Sequence, residues 1–199
     1  MKAKITAILL AAGESKRMGE ANKLLLEVQG KPMIRQTLDQ LLQTSAAEII
    51  VVTSEENYAR LDQEVREKFH IIFNPDYKLG MTTSIQRGVA AATPDTDGYM
   101  ICMSDQPFIR AEEYELLIKR FSEVLPSDPA CIIVPFFQGA KGNPVIFSRH
   151  YKEAILAHPE MEGCKGIVQG NKEHLVKVDM PSDAILRDID TPEDYSGIN

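Results

Sequence analysis

The chain has 199 residues, of which 44% are hydrophobic and 26% are charged. These proportions predict one soluble globular domain over residues 1–199, with room for a sizeable core. The formal net charge of −7 argues against nucleic acid or an anionic membrane surface as the main partner, although a local cluster of cations can still bind a small anionic substrate.

The cysteines and the N-terminus both indicate a cytoplasmic protein. Cys102, Cys131 and Cys164 lie too far apart in sequence for a zinc-finger or disulfide framework, which is typical of a reducing compartment. The N-terminal "MKAKITAILLAAG" has a basic start and an apolar stretch like a signal peptide. That stretch is too short to span a membrane, and charged residues follow it where a cleavage site would need small ones. We therefore predict a buried first strand.

Strands and helices alternate along the rest of the chain. Apolar, β-branched runs predict strands at residues 3–10, 48–54, 70–75, 98–105, 131–136 and 143–148. Apolar residues at helical spacing predict helices at residues 31–44, 57–68, 82–92 and 111–124. The C-terminal segment predicts a further short strand and a last helical turn that starts near Pro192. This alternation predicts a parallel-dominated sheet with helices on both faces.

Ligands of such folds bind beyond the carboxyl ends of the strands. The loops at residues 11–23, 74–84 and 104–107 follow predicted strands, and residues 142–144 and 188–190 also lie in loops. These segments are therefore the candidates for a binding site.

The first of these loops combines small residues with cations. The small residues at 11–13 allow backbone N–H groups to approach an anion or a base edge closely, and Lys16, Arg17 and Lys23 supply donors for phosphate. The loop is neither a Walker P-loop nor a Gly-x-Gly-x-x-Gly turn. The alternative interpretation is a solvated basic loop, but its place after a buried strand of an acidic protein favours a functional one.

Two aspartates follow predicted strands or precede a predicted helix. Asp105, in "MSDQP", follows an apolar strand, where its carboxylate could bind Mg²⁺ or could cap the next helix. Asp190 precedes Thr191 and Pro192, which is also the pattern of a helix N-cap. If the C-terminal segment returned to the same edge of the sheet, both carboxylates could share one cation. The sequence alone leaves these interpretations open.

The motif "LAAGESKRMGEANK" resembles the signature of the nucleotidyltransferases that act on the molybdenum cofactor. The resemblance continues, in order, through "GKPMI", "NPDYKLGMTTSIQRG", "SDQPFI", "GNPVIF" and "DIDTPEDY", and so covers nearly the whole chain. Within that group the chain is more similar to molybdopterin cytidylyltransferases than to guanylyltransferases. The latter usually carry a second glycine where this chain has Gly13-Glu14, and they lack the "GMTTSI" and "SDQP" forms.

This resemblance implies a three-layer α/β/α, Rossmann-like nucleotidyltransferase fold with a parallel-dominated mixed sheet. It implies transfer of CMP from CTP to the molybdopterin cofactor with release of pyrophosphate, for maturation of a molybdenum hydroxylase. It implies Mg²⁺, or Mn²⁺ in its place, as the cofactor. A transient contact with a molybdenum hydroxylase or its chaperone follows from the same resemblance.

The resemblance also assigns roles to individual residues. The residues assigned to nucleotide binding are Leu10, Ala11, Ala12, Gly13, Arg17, Lys23 and Ser84. Those assigned to the acceptor are Gln106 and Asn143, the metal ligands are Asp105 and Asp190, and the catalytic set is Arg17, Lys23 and Asp105. No side chain is expected to act as a nucleophile.

The chain departs from the family pattern at one turn, and it leaves other functions open. Cys164, in "EGCKG", stands where an aspartate is usual, which is either a tolerated loop change or a sign of a different acceptor or a metal-sensitive thiol. The alternative functions are a guanylyltransferase on the same cofactor, a sugar-phosphate nucleotidyltransferase, and a non-catalytic chaperone that delivers the cofactor.

Overall fold

The computed structural model of the protein describes residues 2–14, 23–159, 161 and 163–196, and its central strand is β1, Ile5–Ala11. All seven residues of β1 are buried. Parallel strands pair with both of its edges, β4 (Glu48–Thr53) on one side and β6 (Gly98–Met103) on the other. A strand enclosed in this way needs apolar residues at nearly every position, which accounts for the run that begins the sequence.

The remaining strands extend this core into one mixed sheet of eight strands. They are β5 (His70–Phe73), β7 (Ile132–Phe137), β8 (Ala140–Lys141), β9 (Val145–Ser148) and β10 (Leu175–Asp179). The order is β10-β7-β9-β6-β1-β4-β5, with β8 paired to β7. Strand β9 is antiparallel to β6 and β7, and β8 is antiparallel to β7, whereas the other pairs are parallel. The prediction of a parallel-dominated mixed sheet is therefore confirmed.

Helices cover both faces of this sheet. They are α1 (Met33–Leu41), α2 (Glu55–Arg60), α3 (Gln63–Lys68), α4 (Met81–Ala91), α5 (Ala111–Val124), α6 (Lys152–Leu156), α7 (Lys165–Gly170) and α8 (Pro192–Ser196). Leu9 of β1 packs in the apolar cluster under α1, α3 and α5, whereas Ile8 and Leu10 pack in the cluster under α4, α6 and α7. Successive side chains of β1 point to opposite faces of the sheet, so the strand packs against the helices on both sides. Within the described residues, no helix is both long and apolar enough to cross a membrane.

Some elements differ from the sequence prediction for local reasons. The single helix predicted at residues 57–68 is two helices in the structure. The backbone is extended at Leu61, which ends α2. The side chain of Asp62 then accepts a hydrogen bond from the N–H of Val65 (2.8 Å) and caps the start of α3. Residues 149–174 carry no predicted element, yet they include α6 and α7. A separate ribbon of β2 (Glu27–Val28) and β3 (Lys31–Pro32) precedes α1, which shortens the helix predicted there. The helix at 111–124 has the predicted bounds.

Helix α4 lies directly on β1 at Gly88. A Cβ atom added to Gly88 would lie 3.2 Å from Cγ2 of Val52 and closer still to the Ile8 side chain. Because this interface has no room for a methyl group, we expect Gly88→Ala to lower the free energy of unfolding by about 1–3 kcal/mol, measured by urea denaturation.

The matched control is Gly170→Ala in α7, where no heavy atom lies within 4 Å of an added Cβ. This exposed change should leave stability unchanged or raise it by about 0.5–1 kcal/mol, because alanine is the better helix former. Equal stability of the two variants would show that α4 does not pack on β1 as described.

Candidate active site

The loops that follow the parallel strands surround a cavity of about 830 Å³. The cavity begins at the carboxyl edge of the sheet and continues over the face that carries α4 and α7, since Ile101 of β6, Phe147 of β9 and Val168 of α7 also line it. The sequence-predicted site residues in its lining are Leu10, Ala12, Gly13, Lys23, Ser84, Asp105, Gln106, Asn143 and Asp190. Tertiary structure thus brings residues from five separate segments of the chain together at one place.

A single ammonium group joins the two aspartates that were predicted as metal ligands. Nζ of Lys23 donates to Oδ2 of Asp105 and to Oδ1 of Asp190, each at 2.7 Å. The side chain of Lys23 is only 14% exposed. Burial alone would lower the pKa of Lys23, but the two carboxylates outweigh this effect and raise its pKa. Lys23 therefore remains positively charged and holds the two carboxylates together.

The C-terminal segment does return to the edge of the sheet where Asp105 lies. The backbone N–H of Ile189 donates to the carbonyl oxygen of Asp105 (2.9 Å). The Ile189 side chain is buried in a small cluster with Val28 and Met33. This apolar anchor and the backbone hydrogen bond together place Asp190 beside Lys23, which the sequence could not show.

Thr191 and Asp194, rather than Asp190, cap the start of α8. Oγ1 of Thr191 accepts from the backbone N–H of Asp194 (3.2 Å), and Oδ2 of Asp194 accepts from the backbone N–H groups of Asp190 (3.1 Å) and Thr191 (2.8 Å). This reciprocal pair starts α8 in the manner of a capping box. The side chain of Asp190 is therefore directed to Lys23 rather than to the helix.

The residues at this position suit a hard divalent cation. Oδ1 of Asp105 is buried and has no hydrogen-bond partner among the described residues. Asp188 also lines the cavity, and the surrounding protein together with the charges of Asp190 and Asp105 raises the pKa of its carboxyl group. Across the described residues, no three His, Cys, Asp or Glu side chains are arranged to hold a metal. A cation here would take carboxylate oxygens from two aspartates and its other ligands from phosphate and water, which is the set that Mg²⁺ prefers.

Side chains from neighbouring loops shape the chain at the end of β1. Nδ2 of Asn57 donates to the carbonyl oxygens of Ala11 (2.9 Å) and Gly13 (3.1 Å), and Oγ of Ser104 donates to that of Leu10 (2.7 Å). Ala11 is buried and does not line the cavity, whereas the adjacent Ala12 and Gly13 do.

Sequence reasoning missed Asn57 as a residue that positions this loop. A small polar residue in the first helical turn after strand β4 was the available signal. Arg17, predicted to bind the triphosphate, lies outside the described residues, as does Lys16.

The other predicted site residues are anchored by single hydrogen bonds. Oγ of Ser84, in the first turns of α4, accepts from Nδ2 of the buried Asn74 (2.8 Å). Nε2 of Gln106 (3.1 Å) and the backbone N–H of Asn143 (3.2 Å) both donate to the carbonyl oxygen of Ile185. Ile185 thus holds the two predicted acceptor residues side by side in the cavity wall.

Cys164 also lines the cavity. Its side chain is buried, and burial raises the pKa of the thiol to about 12. A thiol with this pKa stays protonated at neutral pH, and metal ions bind the thiolate. The structure therefore favours an apolar wall contact over a metal-sensitive thiol at this turn.

The chain is similar in sequence and fold to known nucleotidyltransferases and their relatives. Molybdenum cofactor cytidylyltransferase of Escherichia coli K12 is 26% identical over 191 residues, which are 96% of this chain and 93% of that protein. Nicotine blue oxidoreductase of Paenarthrobacter nicotinovorans is 24% identical over 95% of this chain and 93% of its own length. A nucleotidyl transferase from Methanothermobacter thermautotrophicus shares the fold, with a TM-score of 0.82 at 19% identity over 98% of this chain and 95% of that one. Residues 7–178 match the model of the MobA-like NTP transferase domain, and the protein therefore belongs to this family.

Proposed function

We propose that the protein transfers a cytidylyl group from CTP to the molybdenum cofactor, releases pyrophosphate, and so serves the maturation of a molybdenum hydroxylase. The observation that carries this proposal is the Lys23 ammonium held between Asp105 and Asp190 inside the cavity. The likeness to the E. coli cytidylyltransferase over almost the full length of both chains supports the choice of acceptor and nucleotide.

The proposed reaction is a displacement at phosphorus. A phosphate oxygen of the acceptor forms a bond to the α-phosphorus of CTP, and the bond from that phosphorus to the bridging oxygen breaks, so that pyrophosphate leaves with its electron pair. Such a transfer needs alignment of the two phosphates and neutralisation of their charge rather than a nucleophilic side chain. The Lys23 ammonium supplies charge on the nucleotide side of the cavity, and we propose that Arg17 adds to it.

The two aspartates are proposed as the ligands of Mg²⁺ or Mn²⁺, which when bound withdraws negative charge from the phosphate oxygens. The unpartnered, buried Oδ1 of Asp105 supports this assignment. The Lys23 ammonium offsets part of the negative charge of the two carboxylates, and it thereby keeps the segments that carry them together.

The remaining predicted residues divide between the two substrates. The backbone of Ala12 and Gly13 is proposed to contact the base and ribose, together with Ser84, which also lines the cavity. Asn57 donates to the carbonyl oxygen of Gly13 and so positions this loop. Gln106 and Asn143 are proposed to contact the acceptor. Oε1 of Gln106 is buried and without a hydrogen-bond partner among the described residues, and such an oxygen suits an N–H group of the pterin ring.

Pyrophosphate release with each of the four nucleoside triphosphates, with and without the molybdopterin cofactor, tests the proposed function. We expect release only with the cofactor, and a rate with CTP at least about tenfold above that with GTP or ATP, because each base-edge hydrogen bond lost to a wrong base costs about 1–3 kcal/mol.

The other outcomes each contradict a different part of the proposal. A preference for GTP would identify a guanylyltransferase. Turnover of a sugar phosphate but not of the cofactor would identify a sugar-phosphate nucleotidyltransferase. Absence of turnover with every nucleotide would favour the cofactor-delivery chaperone.

Replacement of Asp105 tests the metal site. Asp105→Asn keeps the shape of the side chain but removes its charge, and we expect kcat to fall by about a hundredfold or more while the protein remains folded. EDTA should abolish the activity of the unmodified protein, and Mg²⁺ or Mn²⁺ should restore it.

The control is Asp179→Asn, which removes a carboxylate from an exposed position of β10 outside the cavity lining. It should leave kcat unchanged. Full activity of the Asp105 variant, or of the unmodified protein in EDTA, would exclude Asp105 from the mechanism.

Asn57 tests how the loop after β1 is positioned. Asn57→Ala removes the donor to the carbonyl oxygens of Ala11 and Gly13. We expect KM for CTP to rise about tenfold, with a smaller change in kcat. Each lost hydrogen bond contributes about 1 kcal/mol, and the loop also loses its shape.

Gln36→Ala removes a similar amide-to-carbonyl hydrogen bond, to Val28 (2.8 Å), away from the cavity. Steady-state kinetics of the two variants separate loss of stability from loss of loop geometry. If both variants raise KM equally, Asn57 has no specific role.

A further inference from the structure

A second group of cations lines the cavity away from Lys23. Lys141 lies in β8 and Lys165 in α7, and Lys172 lies in the turn that leads into β10. Strands β8 and β10 both pair with β7. In the sheet, β9 and β6 lie between β7 and β1. Lys141 and Lys172 therefore line the half of the cavity that lies away from the loop that carries Lys23, and Lys165 lines the cavity from α7.

Lys141 and Lys165 both line the cavity. Neither side chain forms an ion pair within the parts of the chain that the structure describes, in contrast to Lys23 and Arg35, each of which contacts two or more acidic residues. The surrounding protein and the charge of Lys165 lower the pKa of Lys141. Two neighbouring cations at a cavity wall repel each other, and a bound anion would remove that repulsion.

The position of Lys141 in the chain connects it with the acceptor rather than with the nucleotide. Lys141 lies two residues before Asn143, a proposed acceptor residue, in the segment between β7 and β9. Ala12 and Gly13 instead follow β1 directly, and Ser84 lies on α4, the helix that packs against β1 and β4. The loop that carries Lys23 and the segment that carries Lys141 thus belong to different halves of the sheet. Lys165 begins α7, two residues after Gly163, whose N–H donates to Thr82 of α4 (2.9 Å).

We propose that Lys141 and Lys165 form a second anion subsite, which binds the phosphate monoester group of the acceptor. This inference rests on the proposed function for the identity of the acceptor. Two ammonium groups match the double negative charge of a phosphate monoester near neutral pH. The subsite holds the acceptor phosphate in the cavity, where alignment with the α-phosphorus is the main requirement of the transfer.

The subsite can be tested without turnover by equilibrium binding. Glycerol phosphate is titrated into the protein saturated with a non-hydrolysable CTP analogue and Mg²⁺, and its Kd is measured by calorimetry. Because one charge-assisted phosphate contact is lost in each case, we expect Kd to rise about tenfold in Lys141→Gln and in Lys165→Gln, and more in the double variant. Both side chains are exposed, and circular dichroism and thermal melts confirm that the variants remain folded.

The matched control is Lys119→Gln, which removes an exposed lysine of α5 outside the cavity lining. It should leave the Kd of glycerol phosphate unchanged. If the two single variants at Lys141 and Lys165 and their double variant all bind glycerol phosphate as the unmodified protein does, both are ordinary solvated lysines and the subsite does not exist.

Kinetics with CTP and the molybdopterin cofactor then assign the subsite to one substrate. We expect the lysine variants to raise KM for the cofactor about tenfold and to leave KM for CTP unchanged. A rise in KM for CTP instead would assign both lysines to the triphosphate and overturn the proposal. If glycerol phosphate binding depends on the lysines but the unmodified protein turns over no nucleotide, the anion subsite is supported and the proposed function fails.

Discussion

Two ionised carboxylates at the edge of a partly buried cavity repel each other, and a cation between them removes that repulsion. Lys23 provides that cation for Asp105 and Asp190, with both contacts at 2.7 Å. Removal of one partner from such a group would leave a charge without compensation in a region with little water, which is costly. The rest of the site depends on this arrangement, because it brings together the loop after β1, the loop after β6 and the C-terminal segment.

Neutral hydrogen bonds from the scaffold hold these charged groups in place. Ile189 ties the C-terminal segment to the backbone of Asp105, and Asn57 and Ser104 bind the carbonyl groups at the end of β1. Asn74 holds Ser84 in the cavity lining. Because such bonds are directional, each functional group has one preferred orientation before any ligand arrives, which is what a reaction governed by alignment requires.

The charge distribution of the cavity is opposite to that of the whole molecule. The chain carries a net charge of −7, yet Lys23, Lys141, Lys165 and Lys172 line one cavity. Asp105, Asp188 and Asp190 line the same cavity, so the four lysines leave it with a small local excess of positive charge, which favours a small anion there over an extended polyanion. The separation of Lys23 from the other lysines suits two anionic substrates that must meet in one place.

The sequence by itself determined the layered α/β fold, the order of most strands and helices, and the loops that carry the candidate site. These features follow from local periodicity and from the rule that ligands bind at the carboxyl edge of a parallel sheet. The break in the helix at Leu61, and α6 and α7, were not predicted, because short helices depend on tertiary packing more than on propensity.

Only the tertiary structure decided which side chains meet. Asp105 and Asp190 are 85 positions apart in number and each also matched a helix cap, and the buried Ile189 with its hydrogen bond to Asp105 is what brings them to Lys23. The roles of Asn57 and of Lys141 and Lys165 were equally absent from the sequence pattern. A hydrogen bond or a charge pair between distant segments depends on the path of the whole chain, and a local sequence pattern contains no record of that path.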